Sequence, residues 1–199
     1  MKKIKSVHYF KITLDTDFEG RGKEKPYRII LVQENQSLST FAHAIVSSFG
    51  FYFDHCYGFY DNFQNPDKSR EKYELFTDLP NVEHTVGALG VTYTRVGKVF
   101  SNIGKKLRFL FDYGDNWWFT IEVLNITTIK KNIKYPQVLK KVGKAPEQYP
   151  PLEEGRDEEE INSETWFHDN CKLCHDLKDS AIELQWYPDK PQIKKQTIN

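Results

Sequence analysis

Three groups of residues have the types and spacing to do chemistry. The stretch "FLFDYGDNWWFTIEV", Phe109 to Val123, sets Asp112, Tyr113, Gly114 and Asp115 beside Trp117 and Trp118. Two carboxylates flanking a glycine at a strand end, with an indole as apolar wall, suit a pocket for a cation or basic group. The same residues also suit turn chemistry. Aspartate accepts backbone N–H bonds, glycine supplies positive φ, and the rings pack across a hairpin. The second group is His168, Cys171, Cys174 and His175. All four are zinc-ligand types, although Cys174 and His175 are adjacent and no distant second pair completes a finger. A thiol-redox role would need a low-pKa cysteine, and acidic Asp169 and Asp176 work against that. Lys130, Lys131, Lys134, Lys140, Lys141 and Lys144 form the third group, with no acid between Glu122 and Glu147. They could contact nucleic-acid phosphates, with Tyr135 and Tyr149 nearby for stacking. His55 and Cys56 are also neighbours, but read as strand residues they point to opposite faces and cannot pair as base and nucleophile.

The elements that position these groups follow from periodicity. "VHYFKITLD" alternates, placing His8, Phe10, Ile12 and Leu14 on the buried face of a strand. "PYRIILVQ" reads as its antiparallel partner. Leu38, Phe41, Ala42, Ile45, Val46 and Phe49 recur at helical spacing, with Ser37 or Asn35 as cap and Gly50 as stop. "HCYGFYD" is a further short strand, and residues 62–92 are turn-rich, with a strand near Tyr73–Phe76. Thr94 is expected to cap a helical turn through Phe100. Leu107, Phe109 and Phe111 share one face, as do Trp117, Phe119, Ile121 and Val123, so Gly114 sits in a hairpin turn. "DLKDSAIELQWY" reads as a short helix. The expected fold is α+β: a mostly antiparallel sheet, β-β-α-β then a β-hairpin, with helices packed on it and a C-terminal helical extension.

The chain has 199 residues, 11 Tyr and 14 Phe against one Met, and 28 basic residues balancing 28 acidic. Zero net charge argues against a general nucleic-acid coat protein. The balance is uneven along the chain. Residues 151–199 hold 12 Asp and Glu against 6 Lys and Arg, and the first 150 hold 16 against 22. We expect a domain over 1–150 and an acidic extension over 151–199 packed on it, whose run Glu153 to Glu160 folds back on the lysines. No apolar run reaches the length of a membrane helix, and "MKKIKSVHYF" enters a strand pattern without an apolar signal core. With three cysteines besides, the expected location is the cytoplasm.

The central turn resembles the signature of the plasmid pRiA4b ORF-3-like family, Y-x-Y-D-F-G-D-x-W-x-H-x-I-x-V. Phe111 to Trp117, Ile121 and Val123 match it. The segments "YFKITLD", "PYRIILVQENQSLSTFAHAIVSSFGF" and "HCYGFYD" are similar to the family's opening, and the likeness covers residues 7–147. Three positions depart. Phe119 stands where the pattern has His, Tyr27-Arg28-Ile29 where it has W-R-R, and Ala145-Pro146-Glu147-Gln148-Tyr149 where it has P-P-E-D-x-G-G. The resemblance implies a fold and a binding surface rather than a reaction. Some relatives carry a mobile-element label, but no nucleophile in an arginine-rich setting appears here. We therefore expect a non-enzymatic binding or interaction module without a cofactor, its partner a protein or small ligand and not a membrane. Nucleic-acid binding tied to mobile elements is the first alternative. A metal-dependent enzyme or metal-bound regulator, using the Asp112 and Asp115 carboxylates or the Cys/His cluster with zinc, is the second.

Overall fold

Alternation in the first strand decides which way the sheet faces. In the computed structural model, which describes residues 5–16, 25–130 and 132–149, β1 (Ser6–Leu14) buries His8, Phe10, Ile12 and Leu14 as expected. It pairs antiparallel with β2 (Tyr27–Gln33). The helix α1 (Leu38–Phe49) starts where the Ser37 hydroxyl accepts the Thr40 N–H at 3.1 Å, and ends at Gly50, whose φ of 89° a side chain would resist. Then come β3 (Tyr57–Tyr60), β4 (Lys72–Glu74), β5 (Leu89–Gly90), the short helix α2 (Val96–Val99), β6 (Lys106–Phe111), β7 (Trp117–Thr128) and β8 (Gln137–Val142).

Among the described residues the eight strands form one sheet in the order β5-β4-β3-β6-β7-β1-β2-β8. It is mixed rather than uniformly antiparallel, because β4 and β5 run parallel. A short 3-10 turn, Leu75–Asp78, and a long loop separate these two strands and allow the chain to return in the same sense. Asp78 fixes that return by accepting the Val91 and Thr92 N–H groups, both at 2.8 Å. Among the described residues the fold is thus mostly sheet with two α-helices, which narrows the α+β expectation.

Aromatic rings fill the space between α1 and the sheet. Phe10, Phe41, Phe59, Phe100, Phe109 and Phe119 are fully buried, with centroids such as Phe10–Phe41 at 4.5 Å and Phe59–Phe109 at 4.8 Å. Rings at these separations add to the burial of their large apolar surface. Arg28 is also buried here. Its guanidinium bonds the carbonyls of Ser48, Tyr27 and Val142 and lies 4.3 Å over the Phe49 ring. It ties the end of α1 to the β2–β8 edge.

One local expectation is corrected. The helical turn before Phe100 has Arg95, not Thr94, at its N-cap, because the Thr94 hydroxyl bonds the Gly90 carbonyl instead. The lysine-rich segment, to which periodicity assigns no element, contains strand β8 at the sheet edge, with all its residues exposed except half-buried Val142. No helix among the described residues is long and apolar enough to cross a membrane. The expected C-terminal extension, 151–199, lies outside the described residues.

Candidate functional site

Strands β6 and β7 form the hairpin that the alternation predicts. Phe111 faces Trp117, Phe109 faces Phe119 and Leu107 faces Ile121, all in the core. Residues 112–116 make the turn, but the positive φ does not come from Gly114. It comes from Asp112, at 59°, and Asn116, at 57°. Asp and Asn tolerate this region because their short side chains bond locally. Asp112 Oδ1 accepts the N–H of Gly114 at 2.9 Å and of Asp115 at 3.3 Å, and its carbonyl accepts the Asn116 N–H at 2.8 Å. Asn116 Nδ2 donates to the Gly114 carbonyl at 3.0 Å. Turn chemistry therefore accounts for one Asp112 oxygen and for Asn116.

The second oxygen points elsewhere. Asp112 is buried, and its Oδ2 lies 3.5 Å from His55 Nε2. His55 is brought there because the Asp112 N–H bonds the Cys56 carbonyl at 3.0 Å, binding the turn to the approach of β3. On its other side His55 Nδ1 meets Asp54 Oδ1 at 2.9 Å. Tyr149 donates its hydroxyl to Asp54 Oδ2 at 2.9 Å, and Gln148 clamps the same loop. The Gln148 Oε1 accepts the Tyr52 N–H at 2.6 Å, while Nε2 donates to the Tyr52 carbonyl at 3.3 Å. Three separate segments, 52–56, 112–115 and 148–149, thus meet around one imidazole.

Burial opposes a charge on that imidazole. The Asp54 hydrogen bond and the charges of Asp112, Asp54 and Asp115 outweigh it, so the His55 pKa rises above 6.5. The contribution of this raised pKa to stability is complete below pH 6.5. It is lost as pH rises through the folded-state value. Asp54 is held below the ordinary carboxylate range. Its own burial works against this, but the hydrogen bond and charge of His55 prevail, with help from Tyr149.

Tyr113 turns to the opposite side of the sheet. Its hydroxyl lies 2.7 Å from that of Tyr60, which donates to Glu74 Oε1 at 2.9 Å. Both phenols have raised pKa values, chiefly from burial, and stay protonated at neutral pH. Gly58 leaves them room. A Cβ there would lie 2.5 Å from the Tyr60 hydroxyl and 2.8 Å from that of Tyr113. Gly58→Ala is expected to push the Tyr60 hydroxyl off Glu74 and lower the unfolding free energy by about 1–3 kcal/mol. Urea denaturation of Gly58→Ala alone and with Tyr60→Phe tests this. The two losses must be clearly less than additive if the clash acts through that hydroxyl.

The two tryptophans separate as strand neighbours must. Trp117 is core, 4.5 Å from the Phe51 ring, while half-buried Trp118 lies under the Arg108 guanidinium at 4.2 Å. Asp112 and Trp117 are buried, Trp118 is half-buried and Asp115 is exposed. Cys56 is buried, and both it and His55 lie before β3 rather than within it. No group of three His, Cys, Asp or Glu side chains among the described residues is arranged to hold a metal ion. His168, Cys171, Cys174, His175 and Lys131 lie outside those residues. Lys130, Lys134, Lys140, Lys141 and Lys144 are all exposed. They do not form one patch in β8, since consecutive Lys140 and Lys141 point to opposite faces. Periodicity could not find the His55 cluster. Its one signal was local: polar residues bordering an apolar strand, and a Gln-Tyr pair at the end of the family-like region.

The crystal structure of a protein of unknown function, MM3350, from Methanosarcina mazei Go1 is similar to this chain. The TM-score is 0.57 at 17% identity, over 88% of each chain, a likeness of fold. A comparison with curated proteins finds no match. The model of the Plasmid pRiA4b ORF-3-like protein family matches residues 7–149, which contain β1 from Val7 onward, β2 to β8, the signature turn and the Gln148–Tyr149 clamp, and the chain belongs to that family.

Proposed function

We propose that the protein is a non-enzymatic binding module and that the end of the signature hairpin receives a cationic group of its partner. The observation that carries this reading is the convergence of Asp54, Asp112 and Asp115 on His55, strong enough to raise the imidazole pKa despite burial. A field that draws a proton to His55 also draws a guanidinium or ammonium to the rim, where Asp115 is exposed and the Tyr149 ring offers an apolar edge. A bound cation and the His55 proton then oppose each other, so binding lowers the His55 pKa.

Arginine amide is the probe, followed by amide and imidazole NMR. Resonances of residues 54–55, 112–115 and 149 are expected to shift saturably, and the His55 titration midpoint to fall. Absence of shifts up to about 10 mM, which would detect a binding free energy of roughly −3 kcal/mol, refutes the proposal. Unchanged His55 titration with shifts elsewhere refutes it as well.

A further inference from the structure

The face of the sheet opposite α1 has a composition that the hairpin-end site does not use. Strand register places Tyr27, Thr13, Thr120 and Arg108 in one row across β2, β1, β7 and β6. Trp118 lies two residues from Thr120 on the same face, and Lys11 two residues from Thr13. All six side chains are half-buried. The two threonines are short, so Tyr27 and Trp118 stand as walls on either side of a shallow floor. Each wall carries cations. Lys11 Nζ lies 4.6 Å and Lys140 Nζ 5.9 Å from the centre of the Tyr27 ring, and the Arg108 guanidinium lies 4.2 Å from that of Trp118. The Phe63 carbonyl, bonded at 2.7 Å, holds that guanidinium in place.

Charge pairing on this face is one-sided. Asp15 is bridged by Lys25 at 3.2 Å and Glu122 by Lys106 at 3.4 Å. Lys11, Arg108 and Lys140 have no carboxylate within ion-pair distance among the described residues. Among the described residues both acids are bridged by other lysines and three cations are left over, each beside an aromatic ring. A repeating anion with flat apolar groups between its charges complements that pattern. Single-stranded polynucleotides have this form, and flat sheet surfaces bind them by stacking bases on rings and pairing phosphates with nearby cations. The chain's zero net charge does not oppose this, because the excess is local.

We propose that this sheet face binds single-stranded nucleic acid, with bases on Tyr27 and Trp118 and phosphates on Lys11, Lys140 and Arg108. This surface is separate from the His55 cluster and independent of the cationic-group reading. Fluorescence anisotropy with labelled oligo-dT and oligo-U of about 12 nucleotides tests it on the full chain. Three phosphate contacts give a slope of log K against log salt near −2, and Lys11→Gln or Lys140→Gln reduces that slope by about 0.7. Trp118→Leu and Tyr27→Leu each weaken binding by roughly five- to 100-fold without changing the slope. Circular dichroism melting confirms folding of each variant. The exposed-position change Lys140→Gln keeps the test decisive should Trp118→Leu fail to fold. No binding at roughly 20 mM salt overturns the proposal. So does duplex DNA or polyglutamate binding as tightly as the single strands, since neither offers free bases to stack. Affinity and slope that all four variants leave unchanged also overturn it.

Discussion

Asp112→Ala is expected to lower the unfolding free energy by about 3–4 kcal/mol, against about 1 kcal/mol for Asp112→Asn. Alanine at a φ of 59° brings its Cβ towards the following carbonyl, at a cost of roughly 1–2 kcal/mol. It also removes the acceptor for the Gly114 and Asp115 N–H groups. Hydrogen bonds to a charged group contribute about 1.5–3 kcal/mol. Asparagine keeps the left-handed backbone and one carbonyl acceptor, and loses only the charge facing His55. Asp112→Gly separates the two effects: it tolerates the φ but accepts no bond, so it falls between the others. Urea denaturation should give the order Asn, Gly, Ala in increasing loss. The Asn variant should also lower the His55 pKa, because one of its supporting charges is gone. If alanine proves as mild as asparagine, the Asx bonds do not hold the turn, and the positioning of His55 needs another cause.

That ordering also shows where the sequence was readable and where it was not. The β6–β7 hairpin was legible because period-two alternation on both arms leaves one register that buries every large apolar residue. Its turn was only half legible. Glycine is the usual source of positive φ, but an Asp with local acceptors can take the same conformation, and here Asp112 does. Strand β8 was illegible because an edge strand exposed along its length shows no inside–outside pattern, and its lysines suit an edge that must not pair with other chains. The parallel β4–β5 pair depends on a long return held by Asp78, a contact with no periodic trace. The His55 cluster failed for a related reason. It joins segments nearly a hundred residues apart, as in the bond from Tyr149 to Asp54, and alternation reports only on neighbours in the chain. The basic and aromatic sheet face was visible only once register put Tyr27, Thr13 and Thr120 side by side.

Phe119→His, which restores the residue that the family pattern has at this position, is expected to cost about 3–5 kcal/mol at neutral pH and more in acid. Phe119 is fully buried among Phe49 at 5.0 Å, Phe109 at 5.7 Å and Phe51 at 6.5 Å. An imidazole there is smaller than the ring it replaces and brings two nitrogens into a wall of phenyl groups. Both the cavity and the lost hydration of those nitrogens destabilise the fold. The pH effect has a definite sign. Burial keeps this histidine neutral in the folded state, so its folded pKa lies below the unfolded value of roughly 6.5. Its unfolded form then takes up a proton that the folded form does not, and stability is lost as pH falls through that value, by up to about 1.4 kcal/mol per pH unit. His55 contributes in the opposite direction, so the comparison is between variant and wild type at each pH. Urea denaturation at roughly pH 7.5 and 5.5 should show the gap between them widening in acid. A gap that stays constant would mean that the new histidine finds a polar partner or water beneath α1. The closed aromatic core would then be permissive at that point, and the residue under the signature turn would rejoin the candidate site from which Phe119 now excludes it.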